Sequence, residues 1–277
     1  MKRFGLPLLG LCLSLGAGQA MAEERIAVPG NGTPAPAEEP SSGIKLGPAF
    51  TLNPNITVLS DYVSRGISNN KHNPVIQGTL KITHDPSGLY ASLFASNVRS
   101  ILPPPPPQLE GPYMELDPAI GWSRELGGVN VDLGVVHYGY PGATKALKLY
   151  YDEYYLGLGR TFDNKLDLNA KYSYSPSFGG SLVSNSASYL DLSVGYMLPV
   201  DIRIGGHYGR SWGDFFDSVE GASIKHYNDY TLSLSKEIVG VNATLSWNTT
   251  DHRAKVWQSL APNLVRDQVV LGLSKNF

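Results

Sequence analysis

The segment Ser188–Leu198, SYLDLSVGYML, alternates apolar residues with small or polar ones. Leu190 and Leu192 share one parity, whereas Asp191 and Ser193 share the other. Because successive side chains of a strand point to opposite faces, this period of two is typical of a strand with one apolar and one polar face. The segment therefore predicts a β-strand rather than a helix.

The same period recurs along the chain from about residue 53. The chain also contains 30 Gly and 16 Tyr, a composition typical of strands and turns. We predict an all-β fold of about twelve strands, at 54–65, 74–83, 88–98, 112–123, 129–139, 150–161, 165–175, 187–198, 201–211, 227–236, 240–249 and 267–277.

The connections between the predicted strands alternate in length. The short ones are HDPSG, RELGG, FDNK, LPV and EIVG, and the long ones are SNNKHNP, RSILPPPPPQLEG, YPGATKALKL, SPSFGGSLVSNSA, WGDFFDSVEGASIKH and TDHRAKVWQSLAPNLVR. A soluble sandwich or lipocalin-like barrel has no reason to keep every second connection short. An outer-membrane barrel does, because its periplasmic turns are short and its extracellular loops are long. Residues 53–277 are therefore predicted to form a transmembrane antiparallel up-and-down β-barrel.

The polar face of the predicted strands carries Asp, Asn, Ser, Thr, Gly and Tyr rather than a coat of Lys and Glu. We therefore expect the apolar face to contact lipid and the polar face to line the lumen. The predicted pore-lining charges are Asp61, Arg65, Lys81, Glu115, Asp117, Asp132, Glu153, Asp167, Lys171, Asp191, Arg203 and Asp229. Their excess of acids predicts a channel for passive diffusion of small polar solutes or ions, with a mild cation preference.

The alternative is a lumen closed by internal ion pairs and aromatic packing, in a non-conducting barrel with a structural or loop-mediated binding role. Twelve strands enclose less space than the 16–18 strands of open porins. Six aromatic residues share the inward parity: Tyr90, Phe94, Tyr113, Tyr151, Tyr155 and Tyr189. Asp61 and Arg65, on one face of the first predicted strand, are expected to pair across strands. Five other aromatic residues near strand ends fit interfacial girdles: Trp122, Tyr138, Tyr172, Tyr196 and Trp247.

The first 22 residues predict a secretory signal peptide. Lys2 and Arg3 precede a short apolar run, and Ala20-Met21-Ala22 forms a cleavage site. A membrane anchor is the alternative, but the run is shorter than the ~20 residues that a span requires. Residues 23–52, rich in Pro, Gly and Glu, predict a mobile periplasmic linker.

Cleavage after residue 22 changes the cysteine content and the net charge of the chain. It removes Cys12, the single cysteine, and reduces 22 basic residues to 20 against 24 acidic ones, a net charge of −4. A nucleic-acid partner is not predicted, because such a protein needs a basic face.

No catalytic or cofactor site is predicted. His137 has outward parity, as in outer-membrane lipases, but no serine lies two residues on and a nucleophile needs its base within hydrogen-bonding reach. His72, His84, His207, His226 and His252 are scattered without metal-ligand spacing, so they are expected at the surface or in the girdle. The run Pro103–Pro107 predicts a polyproline II segment in an outer loop.

The segment Val269–Phe277, VVLGLSKNF, ends the predicted last strand on an aromatic residue. Outer-membrane proteins as a class end in this way, and that resemblance implies recognition of Phe277 by the barrel-assembly machinery. Together with LSDYVSRGISNN, PVIQGTLKI, GLYASLFASNV, VHYGYPGA and DYTLSLSKEIVG, this segment resembles the TorF-type porin family. The resemblance covers residues 54–277. It implies an outer-membrane barrel of a Gram-negative bacterium with no assigned substrate, in contact with membrane lipid and lipopolysaccharide.

Overall fold

The computed structural model describes residues 43–99, 111–163, 165–181, 185–217, 223–255 and 264–277. The predicted signal peptide, linker residues 23–42 and the proline run 103–107 lie outside these ranges. No helix within the described ranges is long and apolar enough to cross a membrane.

The described residues form an antiparallel β-barrel. Its strands in chain order are β1 (Ile44–Lys45), β2 (Phe50–Leu59), β3 (Val63–Ser64), β4 (Ile67–Ser68), β5 (Val75–His84), β6 (Leu89–Asn97), β7 (Met114–Leu126), β8 (Val129–Tyr138), β9 (Tyr151–Thr161), β10 (Leu166–Phe178), β11 (Asn185–Met197), β12 (Arg203–Trp212), β13 (His226–Ile238), β14 (Val241–Thr250) and β15 (Gln268–Asn276). Strands β2 and β5–β15 pair in sequence order, and β15 pairs with β2. The prediction of a closed twelve-stranded barrel is confirmed.

The two faces of the barrel wall have opposite chemistry. On β5, Ile76 is 65% exposed and Leu80 is 48% exposed. The residues that follow each of them, Gln77 and Lys81, are buried. A protein in water rarely exposes a large apolar patch. Apolar residues on the outside and polar residues on the inside are the arrangement that a surrounding bilayer stabilises.

The first barrel strand begins and ends earlier than predicted. β2 runs over Phe50–Leu59 rather than 54–65, and β1 adds a short strand within the predicted linker. Gly47, with a φ of 84°, makes the turn between them. The sequence pattern does not predict β1, because a strand of two residues is too short to show a period of two and lies in a Pro- and Gly-rich segment.

Polar contacts at the short-turn end fix β1 to the barrel. The Lys45 ammonium donates to Asp85 Oδ2 at 3.0 Å, and Thr51 Oγ1 donates to the same carboxylate at 2.8 Å. These hydrogen bonds, that from Lys45 first, hold the pKa of Asp85 below its usual range. A lowered pKa in the folded state stabilises the fold above the unfolded pKa, and this contribution disappears as the pH falls through the folded value.

We expect acidification from pH 7 to pH 3 to loosen β1. The protection factor of the Leu46 amide, whose N–H donates to Phe50 O at 2.9 Å, should fall as Asp85 becomes protonated. Asp85→Asn should lower this protection factor at pH 7 and remove its dependence on pH. Equal pH dependence in the variant and the wild type, measured by hydrogen exchange, would contradict this assignment.

Candidate functional site in the barrel lumen

The first long connection folds into the lumen. Residues 61–70 are all buried, and β3 and β4 form a hairpin that we name the plug hairpin, Val63–Ser68. Its two central residues, Arg65 and Gly66, have φ values of 48° and 77°. Positive φ at both positions is the type I′ geometry that closes two-residue hairpins. Asp61 and Arg65 are therefore not on a barrel strand, and the prediction that they share one face of the first strand is wrong.

Arg65 anchors the plug hairpin to the opposite wall. Its Nη2 lies 2.6 Å from Glu153 Oε2 on β9, and both side chains are buried. The guanidinium also lies over the ring of Tyr189 on β11, 4.4 Å from its centroid. The Tyr227 hydroxyl on β13 donates to the Arg65 carbonyl at 3.0 Å. These contacts reach three different strands, so the hairpin spans the lumen.

Other long connections complete the closure of this end. The short helix α1 (Asp214–Asp217) buries Phe215 and Phe216, and the sixth long connection buries Leu264 and Val265. Together with Ile67 of the plug hairpin, these side chains belong to one apolar cluster. The long-loop half of the lumen is therefore filled, as the alternative of a plugged lumen expects.

The short-turn half is organised differently, because two tyrosines lie against the wall. A Cβ on Gly121 would lie 2.4 Å from the Tyr90 hydroxyl, and one on Gly134 would lie 2.6 Å from the Tyr155 hydroxyl. The two glycines of β7 and β8 thus make room for the ends of these side chains. The hydroxyls of Tyr90 and Tyr155 meet there in a hydrogen bond.

Charged groups surround this tyrosine pair. Lys81 Nζ lies 4.4 Å from the centroid of Tyr90, and Lys171 Nζ lies 4.2 Å from that of Tyr155. The Tyr90 hydroxyl donates to Asp132 Oδ1 at 2.9 Å. Lys171 remains half-buried rather than fully buried. The other members of this cluster, Tyr90, Tyr155, Lys81 and Asp132, are buried.

Histidine 207 lies inside the barrel between two carboxylates. Its Nδ1 is 3.3 Å from Asp191 Oδ1, and its Nε2 is 3.0 Å from Asp229 Oδ1. The prediction of a surface or girdle position is wrong for His207, since its inward parity on β12 places it opposite these acids. A second buried pair, Arg203 and Asp167, links β12 to β10.

The remaining predicted charges also lie on the lumenal side. Tyr140 donates to Glu115 Oε1 at 3.3 Å, and the Gly139 N–H donates to Asp117 Oδ1 at 3.1 Å. The predicted set that is buried inside the barrel comprises Asp61, Arg65, Lys81, Glu115, Asp117, Asp132, Glu153, Asp167, Asp191, Arg203 and Asp229. The structure pairs Arg65 with Glu153, which the alternation of residues along the strands did not predict.

Two aromatic predictions are wrong. Tyr113 is 64% exposed rather than inward, because it precedes β7 and is outside the strand alternation. Tyr138 is buried and stacks on Tyr151, with ring centroids 4.6 Å apart, rather than lying in a girdle. Both residues belong to the apolar cluster that contains Ile67 of the plug hairpin.

The outer wall carries a histidine–carboxylate pair. His137 Nδ1 lies 2.7 Å from Asp152 Oδ1, and both side chains are about half exposed. Among the described residues, Asp152 is the hydrogen-bonding partner of His137, and no hydroxyl nucleophile bonds to it. Nor does this part of the chain contain a group of three or more His, Cys, Asp or Glu residues that could hold a metal ion.

A family model of bacterial proteins of unknown function, named Gcw_chp, matches residues 44–277, which include every barrel strand. This chain belongs to the Gcw_chp family. No curated protein matches the chain.

Solved structures of outer-membrane barrels resemble it at low sequence identity. The NanC porin is 10% identical with a TM-score of 0.49, covering 81% of this chain and 98% of the porin. An outer-membrane channel from Pseudomonas putida F1 is 10% identical with a TM-score of 0.48, covering 87% of this chain and all of that one. Outer-membrane phospholipase A from Escherichia coli is 14% identical with a TM-score of 0.45, covering 81% and 91%. The structural neighbours thus include porins, channels and enzymes.

Proposed function

We propose that this protein is a porin-like channel in the outer membrane of a Gram-negative bacterium, of the TorF type and without enzymatic activity. It passes small polar solutes or ions by passive diffusion when the plug hairpin leaves the lumen. The long loops then lie outside the cell and the short turns lie in the periplasm.

The observation that supports this proposal is that loop residues, those of the plug hairpin among them, fill the long-loop half of the polar lumen together with aromatic side chains of the wall. The plug hairpin is held by an ion pair, a ring contact and a hydrogen bond, all of which can break and re-form. In the other half, the Tyr90 and Tyr155 side chains lie against wall glycines. Movement of the loops would therefore open the long-loop half of the lumen.

The charge of the path favours cations. Among the described residues, the lumenal set contains eight acids, whereas its bases are Arg65, Lys81, Lys171 and Arg203. Arg65 and Arg203 are each paired with a carboxylate. The remaining acids give the lumen a net negative charge, and rings of carboxylates attract cations.

Planar-bilayer recording under a KCl gradient tests both conduction and selectivity. Refolded protein (residues 23–277) is expected to show rare openings whose reversal potential favours K⁺. Asp132→Asn should reduce the cation preference, and Lys171→Gln, its matched opposite on the same side of the lumen, should increase it. Reversal potentials that do not differ between the two variants would contradict the assignment of these residues to the path.

A non-conducting barrel is the second candidate, and the filled long-loop half is the observation that favours it. Properly folded protein that stays silent, even after the plug hairpin is released, would support this candidate. Its function would then depend on the loops and on contacts with lipid and lipopolysaccharide.

Phe277 is proposed as a contact for the barrel-assembly machinery. Its side chain is 49% exposed, its N–H donates to Pro54 O at 3.1 Å, and Lys275 Nζ lies 5.2 Å from its ring centroid. Phe277→Ala should lower the amount of barrel in the outer membrane of cells several-fold without slowing refolding into detergent. Phe50→Ala, a similarly exposed aromatic residue on β2, is the control. Equal loss in both variants, by quantitative blotting of membrane fractions, would show a general packing effect instead.

A further inference from the structure

Four of the strands that run toward the short turns carry a basic residue near their end, on the outward face of the wall. On β7, β9, β13 and β15, apolar residues alternate along this face, and the same parity then reaches a Lys or Arg. On β15, for example, Leu271 is 60% exposed and Leu273 is 54% exposed, and Lys275 follows on the same face. We name the four exposed side chains the basic belt: Arg124, Arg160, Lys236 and Lys275.

The belt residues contact neutral groups of the protein. Two of them donate to a main-chain carbonyl of a short turn, and two lie near an aromatic ring. The pairs are Arg124 Nε with Ser87 O at 3.2 Å, Lys236 Nζ with Val200 O at 3.2 Å, the Arg160 guanidinium with the Phe162 ring centroid at 4.9 Å and Lys275 Nζ with the Phe277 ring centroid at 5.2 Å. No belt residue forms an ion pair with another described residue. These contacts hold the four charges at the rim without neutralising them.

The acids at the short-turn end occupy other positions. Glu125 and Glu237 each follow a belt residue and therefore have the opposite parity. No Asp or Glu of the described strands has outward parity at this end. At the long-loop end, the outward face of the described strands carries one arginine, Arg210, and one carboxylate, Asp152. The remaining acids of the short-turn end lie in the turns themselves: Asp85, Asp163 and Asp201.

The depth of the belt places it beside lipid headgroups. Each belt residue lies two positions beyond an apolar or aromatic residue of the outward face, about 7 Å further along the strand. The hydrocarbon core of a bilayer is bordered by the polar headgroup layer, and anionic headgroups attract Lys and Arg side chains at this boundary. Arg124 and Arg160 lie on strands separated by β8, and Lys236 and Lys275 on strands separated by β14. Each pair is therefore spaced about 10 Å apart around the rim.

We propose that the basic belt binds the phosphate groups of anionic phospholipids in the leaflet that surrounds the short turns. An arginine matches a phosphate with two parallel hydrogen bonds, and a lysine binds it as a point charge. In the orientation proposed above, this leaflet is the periplasmic one. The inference rests on that placement in the membrane, but it does not require the barrel to conduct.

Electron paramagnetic resonance of spin-labelled lipids tests the belt, because it measures which lipid contacts the protein. Refolded protein (residues 23–277) is placed in phosphatidylcholine vesicles that contain a trace of labelled phosphatidylglycerol or labelled phosphatidylcholine. We expect the wild type to associate with phosphatidylglycerol at least about threefold more strongly than with phosphatidylcholine. The variant Arg124→Gln/Arg160→Gln/Lys236→Gln/Lys275→Gln should bind the two lipids equally. Both leaflets contain the probe, so the direction of insertion does not affect the result.

A second fourfold variant is the matched control. Lys71→Gln/Lys145→Gln/Lys148→Gln/Lys225→Gln removes the same charge from exposed side chains in the long connections and should keep the lipid preference of the wild type. The heat-modifiable gel mobility of each variant first establishes that it has folded. If the belt variant does not fold, the wild type in 1 M KCl provides the test, since a Debye length of about 3 Å should abolish the preference.

Three outcomes would overturn the proposal: no preference in the wild type, a preference that persists in the belt variant or in 1 M KCl, and an equal loss in the control variant. The last would show an effect of net charge rather than of the belt. A silent channel that still prefers phosphatidylglycerol would contradict the proposed conduction and leave the belt intact. A conducting channel without this preference would do the reverse.

Discussion

Arg65→Ala is expected to convert a mostly closed barrel into one that is open for much of the time. The substitution leaves Glu153 buried without its partner, 2.6 Å from where the guanidinium was. Loss of one partner of a buried ion pair costs about 3–5 kcal/mol, and here the cost falls on the closed state. Opening hydrates Glu153, so the closed-to-open ratio should fall by roughly 10²-fold to 5 × 10³-fold.

The measurement is the time-averaged current per refolded channel at constant voltage. Lys71→Ala, an exposed charge in the same connection, is the control and should behave as the wild type. Glu153→Gln removes the other charge, and the double variant Arg65→Ala/Glu153→Gln should restore part of the closure. If both single variants fold and carry no more current than the wild type, the plug hairpin is not a gate.

Leu232→Arg should destabilise the barrel strongly, although Leu232 is 59% exposed. The side chain lies near the middle of β13 on the apolar face. In water such a surface substitution changes stability by about ±0.5 kcal/mol or less. At the midplane of a bilayer an arginine costs about 2–4 kcal/mol. The size of the effect therefore distinguishes a lipid-facing wall from a water-facing one.

Denaturant titration in lipid vesicles gives the free energy of unfolding of each variant. Val239→Arg is the matched control, because Val239 is 96% exposed in a short turn beyond the apolar band. It should change the free energy of unfolding by less than about 0.5 kcal/mol. Comparable losses in the two variants would show that the exposed leucines of the strands do not face lipid.

The barrel itself can be predicted from the sequence. Each long strand carries a strict period of two, and a slip of one residue would move every apolar side chain to the lumen. The alternation of short and long connections then determines which ends of the strands meet. The strand pattern places Gln77, Lys81 and Asp132 on the polar face, the composition of that face assigns it to the lumen, and all three side chains are buried there.

The plug hairpin could not be predicted in the same way, although the sequence contains one local indication of its turn. Arg65-Gly66 is a pair in which both residues adopt positive φ, and it closes a two-residue hairpin within a run that otherwise continues the strand pattern. Periodicity alone extends β2 through this run to residue 65. Recognising the turn would end the strand early, but it would not show where the hairpin goes.

The sequence by itself determined the strand count, the direction of each face and the acidic character of the lumen. These properties depend on neighbours along one strand, so a local pattern contains them. Only the tertiary structure decided that Arg65 meets Glu153 and that His207 lies between Asp191 and Asp229. Those contacts join residues far apart in the chain, and they exist because closing the barrel brings distant strands around one lumen.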